Sequence, residues 1–201
     1  MKRTLTVVGV ILAVLLVAAL VVVGWGVSVY NRIVSADEGV KSAWSQVENQ
    51  YQRRYDLVPN LVETVKGFAK QEREVLENVT AARSRVGQLT VTPEVLRDPE
   101  AFSRFQQAQD GLSSALSRLL AVVENYPQLR SKENFLTLQA QLEGTENRIA
   151  VERRRFNESV QNFNTLIRRF PGTIIAGLTG FREAEYFRSV SGAEQPPQVR
   201  F

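Results

Sequence analysis

The sequence predicts an all-α protein: an N-terminal transmembrane helix followed by an up-and-down antiparallel four-helix bundle. Three observations carry that prediction. Leu5 to Val29 is an apolar run, and no charged residue lies between Arg3 and Arg32. Beyond it, apolar residues recur at steps of three and four with charged and amide residues between them, the pattern of amphipathic helices. Proline and glycine then punctuate the pattern at Pro59, Gly87, Pro93, Pro99, Pro127 and Pro171.

The apolar run is long enough to span a bilayer core of about 30 Å, which takes roughly 20 helical residues. A continuous helix satisfies its own backbone in lipid, and no proline interrupts this one. Trp25 and Tyr30 stand where interfacial aromatics are expected. The run ends without a small-x-small cleavage site, and Ala18-Ala19 falls too early, so a retained anchor is expected rather than a cleaved signal. Lys2 and Arg3 against Arg32 and Lys41 favour a cytoplasmic N-terminus and a bundle outside the cytoplasm. Arg53 and Arg54 narrow that margin. The expected organisation is an anchor over residues 1–29, a helical bundle over 30–187 and a flexible C-terminal tail over 188–201, in a single-pass protein of the cell membrane.

Helix one follows from Val40, Trp44, Val47 and Tyr51, whose spacing gives one apolar face. It can continue directly from the anchor. Pro59 disfavours helix at Val58, and Asn60 with Glu63 has the spacing of a capping box. These signals favour a turn at Pro59 with a second helix from Leu61 to about Gly87; the alternative is a kink within one long helix. A turn there would bring the end of the fourth helix back to the membrane, and a kink would leave it at the far end. Gly87 to Pro99 reads as a connection, with Asp98 as N-cap and Pro99 as first helical residue of helix three. That helix carries Phe102, Phe105, Leu112, Leu116, Leu119 and Val123, and Tyr126-Pro127 ends it. Helix four runs from about Glu133 to Phe170 on a seam whose one polar position is Glu152, and Pro171-Gly172 stops it. Ile174 to Phe181 is apolar, and only Ser189 to Arg200 looks loose.

Composition excludes many chemistries. The 201 residues contain no Cys and no His, so a Ser-His-Asp triad, a thiol nucleophile and a Cys/His zinc site are impossible. Net charge is +4, and setting aside Lys2 and Arg3 leaves 23 basic against 21 acidic residues, a net of +2. That is too mild for nucleic acid, and Arg153-Arg154-Arg155 spread over different helix faces. Glu143, Glu146 and Glu152 are the acids a carboxylate enzyme would use, and they read as surface residues. Asn147, Asn157, Asn162 and Asn164 read as polar interface or surface positions rather than ligands. No catalytic residue, cofactor or metal is expected.

Two stretches stand out as interaction candidates. Arg53, Arg54, Tyr55 and Asp56, with Pro59 and Asn60, form the densest polar cluster near an expected helix end. It reads either as a docking or anionic-ligand patch or, more simply, as a solvated, charge-paired terminus. Ile174, Ile175, Leu178 and Phe181 read as a membrane- or partner-facing tail, or as a cap on the bundle.

Several pieces together resemble the LemA family of bacterial membrane-anchored proteins. They include Arg53-Arg54-Tyr55-Asp56-Leu57-Val58-Pro59-Asn60, Ala82-Arg83-Ser84, Glu124-Asn125-Tyr126-Pro127, Glu143-Gly144-Thr145-Glu146-Asn147-Arg148, Phe163-Asn164, Gly180-Phe181 and Tyr186-Phe187. Phe156 stands where the family usually has Tyr. The resemblance covers the chain after the anchor. It implies an up-and-down bundle of four helices on one anchor, a cell-envelope setting and no established reaction. Some members occur alongside membrane metallopeptidases. The expected function is therefore a non-enzymatic scaffold or adaptor whose partners are the lipid bilayer and the protein itself as a homo-oligomer. The alternative is a ligand- or peptide-binding accessory subunit of a membrane enzyme such as a metallopeptidase, with a groove lined by Tyr51, Tyr55 and Tyr126.

Overall fold

The heptad phase of the first amphipathic face does not stop at the proline. Val29, Ile33, Asp37, Val40, Trp44, Val47, Tyr51, Arg54, Val58, Leu61 and Val65 follow one another at steps of three and four, and all are buried. A helix that keeps one face in the core over that length gains more from continuous packing than it loses at one residue. The computed structural model, which describes residues 2–69, 71–89 and 93–188, accordingly has a single helix α1 over Lys2–Lys66, with Pro59 inside it. The expected turn at Pro59 and the Asn60/Glu63 capping box are thus overturned. Asn60 is an exposed mid-helix residue whose carbonyl accepts from Thr64 Oγ1 at 2.7 Å.

Proline within a helix removes the N–H that would reach the carbonyl four residues back. Here that carbonyl belongs to Tyr55. Arg83, from the next helix, supplies a replacement: its Nε donates to the Tyr55 oxygen at 3.2 Å, and its guanidinium lies 3.8 Å from the Tyr55 ring centroid. The carbonyl left without its helical donor therefore has a partner from a neighbouring element.

The chain turns after Lys66 instead, and α2 spans Arg73–Gly87. A 3₁₀ turn over Pro93–Arg97 follows, and then α3 over Pro99–Val123. Asp98 caps α3 as expected, its carboxylate accepting from the backbone N–H groups of Glu100 and Ala101 at 2.9 and 3.1 Å. A short α4 (Pro127–Arg130) leads into α5 (Glu133–Arg168), and α6 (Gly172–Thr179) follows. The expected count of four helices thus becomes six α-helices and one 3₁₀ helix among the described residues, which contain no strand. Residues 181–188 run without helix along the bundle. Of the expected loose end, residues 189–201 lie outside the described residues.

Direction follows from the cross-helix contacts. Arg54 meets Glu146, Tyr51 meets Arg153, and Trp44 meets Phe156, so α5 runs antiparallel to α1. Along α3, Phe105 meets Trp44 and Gln109 meets Arg54, so α3 runs parallel to α1. The end of α5 therefore returns to the anchor. The expected return of the tail holds, but its cause is the turn after Lys66 rather than one at Pro59. Gly172 is buried at this return, and a Cβ there would sit 2.0 Å from the Leu166 carbonyl oxygen, so no side chain fits. Gly180, with φ of 79°, ends α6 in the left-handed conformation that glycine takes freely.

The apolar core has two parts. The anchor-side cluster holds Ile33, Trp44, Phe102, Phe156 and Phe187 among its members. The distal cluster holds Val58, Leu61, Leu112, Phe135 and Leu142 among its members. The helical segment from Val10 to Val23 exposes its large apolar side chains all round, and α1 is long and apolar enough to cross a membrane.

Candidate functional site: a buried charged layer and a clamped strap

Between the two apolar clusters lies a polar layer built on α1, α3 and α5. Arg54 occupies a core position of the α1 face and is fully buried. Its Nη1 donates to Glu146 Oε1 at 2.8 Å and to Ser113 Oγ at 2.5 Å. Its Nη2 donates to the Gln109 carbonyl at 3.2 Å and to the Gln109 side-chain oxygen. Among the described residues Arg54 Nε is buried without a partner. Ser113 in turn donates to Glu146 Oε2 at 3.2 Å. One turn towards the anchor, Arg153 donates to the Tyr51 hydroxyl at 2.5 Å and to Asp110 at 2.8 Å. Both guanidinium groups lie beside the Tyr51 ring, at 5.1 and 5.5 Å.

The expected cluster is thereby split rather than assembled. Arg54 faces inward, Arg53 and Asp56 are exposed, Tyr55 lies against Arg83, and Pro59 and Asn60 continue the helix. Asp56 accepts from Gln52 at 2.8 Å. The reading of this stretch as a solvated terminus is corrected, since it is mid-helix and its central arginine is in the core. A docking patch that includes Arg54 is excluded by the same burial.

The acids do not converge. Glu146 pairs with Arg54, Glu152 with Arg155 at 2.9 Å, and Glu143 accepts from Gln139. Among the described residues no group of three acidic side chains could hold a metal. Tyr51 and Tyr55 line one small cleft of about 260 Å³, while Tyr126 is apart, donating to Glu72 at 2.9 Å. The expected three-tyrosine groove is therefore not formed.

Burial pushes the Tyr51 hydroxyl up to about 12, and the neighbouring Arg153 and Arg54 charges pull the other way without reversing it. A tyrosine in the unfolded chain titrates near 10. With the folded value raised, the stabilisation is complete below pH about 10 and is lost as pH rises towards about 12. Urea midpoints of the native chain and of Tyr51→Phe, compared at pH about 8 and about 11.5, are expected to differ in their pH response. The native chain should lose on the order of 2 kcal/mol more than the variant. Equal losses in the two proteins would refute the assignment.

The strap at residues 181–188 is the second feature. Asn164 donates to and accepts from the backbone of Ala184, both at 2.9 Å. Asn157 does the same with Phe187, both at 2.9 Å. Gln106 does the same with Arg188, at 2.7 and 3.1 Å. Asn157 and Asn164 are seven residues apart and each follows a buried phenylalanine, a heptad signal that places both on the core-flanking face.

Near the anchor, the Trp25 and Phe170 ring centroids are 6.4 Å apart, and those of Tyr30 and Phe181 are 6.2 Å apart. Of the expected tail residues, Ile174 and Leu178 point outward, while Ile175 and Phe181 are partly buried against the anchor-side core.

Residues 43–201 match the LemA family model. The chain belongs to the LemA family. Among curated proteins it is 31% identical over 189 residues to magnetosome protein MamQ of Magnetospirillum gryphiswaldense, across 85% of this chain and 70% of that protein. Magnetosome proteins MamQ 1 and MamQ 2 of Paramagnetospirillum magneticum are each 29% identical over 183 residues, across 83% of this chain and 67% of theirs. Among its described residues this LemA-family chain is all-helical, with one helix long and apolar enough to cross a membrane.

Proposed function

We propose that the chain is a non-enzymatic scaffold of the cell envelope, a bundle of its four longer helices held at a fixed height and tilt above the membrane. The observation that carries this reading is α6. It packs beside α1 at Gly26, where Ile175 Cδ1 lies 4.0 Å from where a Cβ would stand. On its outer face Leu178 is 79% exposed and Ile174, one turn earlier, is exposed as well, and Phe170 in the turn before α6 is 74% exposed. This apolar face is at the level of Trp25, where interfacial aromatics sit, and Arg168, Arg169 and Arg182 are exposed near it. The bilayer covers that face, and the arginines meet lipid headgroups.

Two membrane contacts and an unbroken α1 then make the bundle a rigid post. Residues 30–66 of α1 rise roughly 55 Å at about 1.5 Å per residue. The N-terminus lies in the cytoplasm, following Lys2 and Arg3, and the bundle stands outside. Copies standing in this fixed orientation assemble with one another or gather membrane partners.

The chain has no native cysteine, so single labels are clean probes. In liposomes, an environment-sensitive fluorophore on Leu178→Cys is expected to emit blue-shifted light and to resist aqueous iodide, unlike one on Glu48→Cys. Equal quenching at both positions would remove the membrane seat. Native purification with the anchor intact tests the scaffold itself: a lone monomer without co-purifying protein argues against it. The second reading, a peptide-binding accessory subunit of a membrane enzyme such as a metallopeptidase, draws support from the strap.

A further inference from the structure

The strap is held as a bound peptide is held. Three carboxamides each give one donor and one acceptor to a single strap residue, at Ala184, Phe187 and Arg188. The Glu185 N–H adds a bond to the Leu96 carbonyl at 2.9 Å. Such contacts read backbone and not sequence, as in other recognition of extended segments. Two side chains supply the selectivity. Ala184 is buried in a place for a small residue. Phe187 is buried among Trp44, Phe102 and Phe156, with the Arg153 guanidinium 4.8 Å from its ring centroid. Tyr186, between them, faces outward.

The walls also touch one another beneath the strap. Trp44 contacts Phe102, Phe105 and Phe156 directly, at centroid distances of 5.3 to 6.1 Å. The strap itself divides two open grooves of about 530 and 450 Å³, with Tyr186 and Arg188 lining both. Beyond the Phe181 N–H bond to the Ala176 carbonyl at the end of α6 it has no helical bonds, so its release costs the clamp, the two buried side chains and the Phe181 contacts with Tyr30 and Phe163.

We propose that this groove between α3 and α5 is a peptide-binding site. Its ligand is an extended segment of a partner protein with a small residue three positions before a phenylalanine, and residues 181–188 are its built-in competitor. The partner segment enters as the strap leaves, and the same three carboxamides clamp its backbone. This inference does not rest on the membrane seat of α6.

The test uses the full-length chain in nanodiscs and a fluorescent octapeptide with the sequence of residues 181–188. A tethered strap competes at an effective concentration on the order of millimolar. Phe187→Ala weakens that competitor and is expected to bind the octapeptide saturably, at least about tenfold more tightly than the native chain does. Replacing the second phenylalanine of the peptide with alanine should abolish binding, and adding Asn157→Ala to the receptor should weaken it about tenfold. No saturable binding up to about 1 mM by a Phe187→Ala chain that still melts cooperatively overturns the proposal. It is also overturned if the peptide fails to bind while Phe187→Ala breaks a native oligomer into monomers, because the strap then joins copies of this chain. Should Phe187→Ala not fold, a nitroxide on Tyr186→Cys in an otherwise native chain reads strap release. Excess octapeptide should raise its mobile fraction, and an unchanged spectrum overturns the proposal.

Discussion

Arg54→Ala is expected to destabilise the folded bundle by about 3–5 kcal/mol. The alanine leaves a cavity where a fully buried guanidinium stood. It also strips the Gln109 side-chain oxygen of its donor in a site closed to water, and takes the partner from Glu146. Glu146 is half exposed and can turn to solvent, so the penalty comes mainly from the cavity and from Gln109. Arg54→Lys is expected to recover little, since an ammonium cannot present the planar fork that reaches Ser113, Glu146 and Gln109 together. Urea denaturation followed by helical circular dichroism measures both variants. A change below about 0.5 kcal/mol for Arg54→Ala would show that the layer contributes nothing to stability.

The layer has a second consequence. It is a charged interruption between an aromatic-rich anchor-side cluster and a distal cluster made mainly of Leu and Val, on helices whose heptad spacing alone would permit a slide. A buried polar group that pairs only in one alignment penalises every other, which is how such groups fix register in coiled coils. Arg54→Met with Gln109→Leu removes the charge and its main acceptor together, so stability should largely return. Uniqueness of packing is expected to fall, seen as broadened side-chain resonances.

The steps from Val40 to Tyr51, continued by three and then four, land on Arg54, Val58, Leu61 and Val65, so the persistence of α1 through Pro59 was written in the apolar spacing. Proline and capping signals pointed to a turn because they are local, and local preference yields when a long face stays in the core. The arginine at a core step was visible too, but only its partners on α3 and α5 show that it is buried with satisfied terminal nitrogens. Those partners are 55 to 92 residues away in sequence, and no spacing rule reaches them. The apolar stretch Ile174 to Phe181 was found by composition; its position beside Trp25 depended on where the chain turned. Residues 181–188 have no periodicity, and their placement depends on the Asn157 and Asn164 side chains, which in sequence could equally face a polar interface or solvent.

The pairing of Arg83 with Pro59 gives the second large effect. Arg83→Ala removes the donor to the Tyr55 carbonyl and the guanidinium stacked on the Tyr55 ring. With the helical donor already missing at Pro59, the carbonyl has lost both, and the expected cost is about 2–3 kcal/mol. In a Pro59→Ala chain the same carbonyl regains an N–H four residues on, so Arg83→Ala should then cost only about 1 kcal/mol, the stacking alone. The difference, a coupling of about 1–2 kcal/mol, is what a double-mutant cycle on full-length protein in detergent would report. Arg83→Lys should behave like the alanine variant towards the carbonyl, because the bond comes from the guanidinium Nε, for which lysine has no counterpart. Additive losses within about 0.5 kcal/mol would mean that Arg83 and Pro59 act independently. Coupling of the expected size would mean that α2 makes the proline tolerable in α1. The unbroken post that the proposed scaffold depends on would then be a property of the packed bundle and not of the first helix by itself.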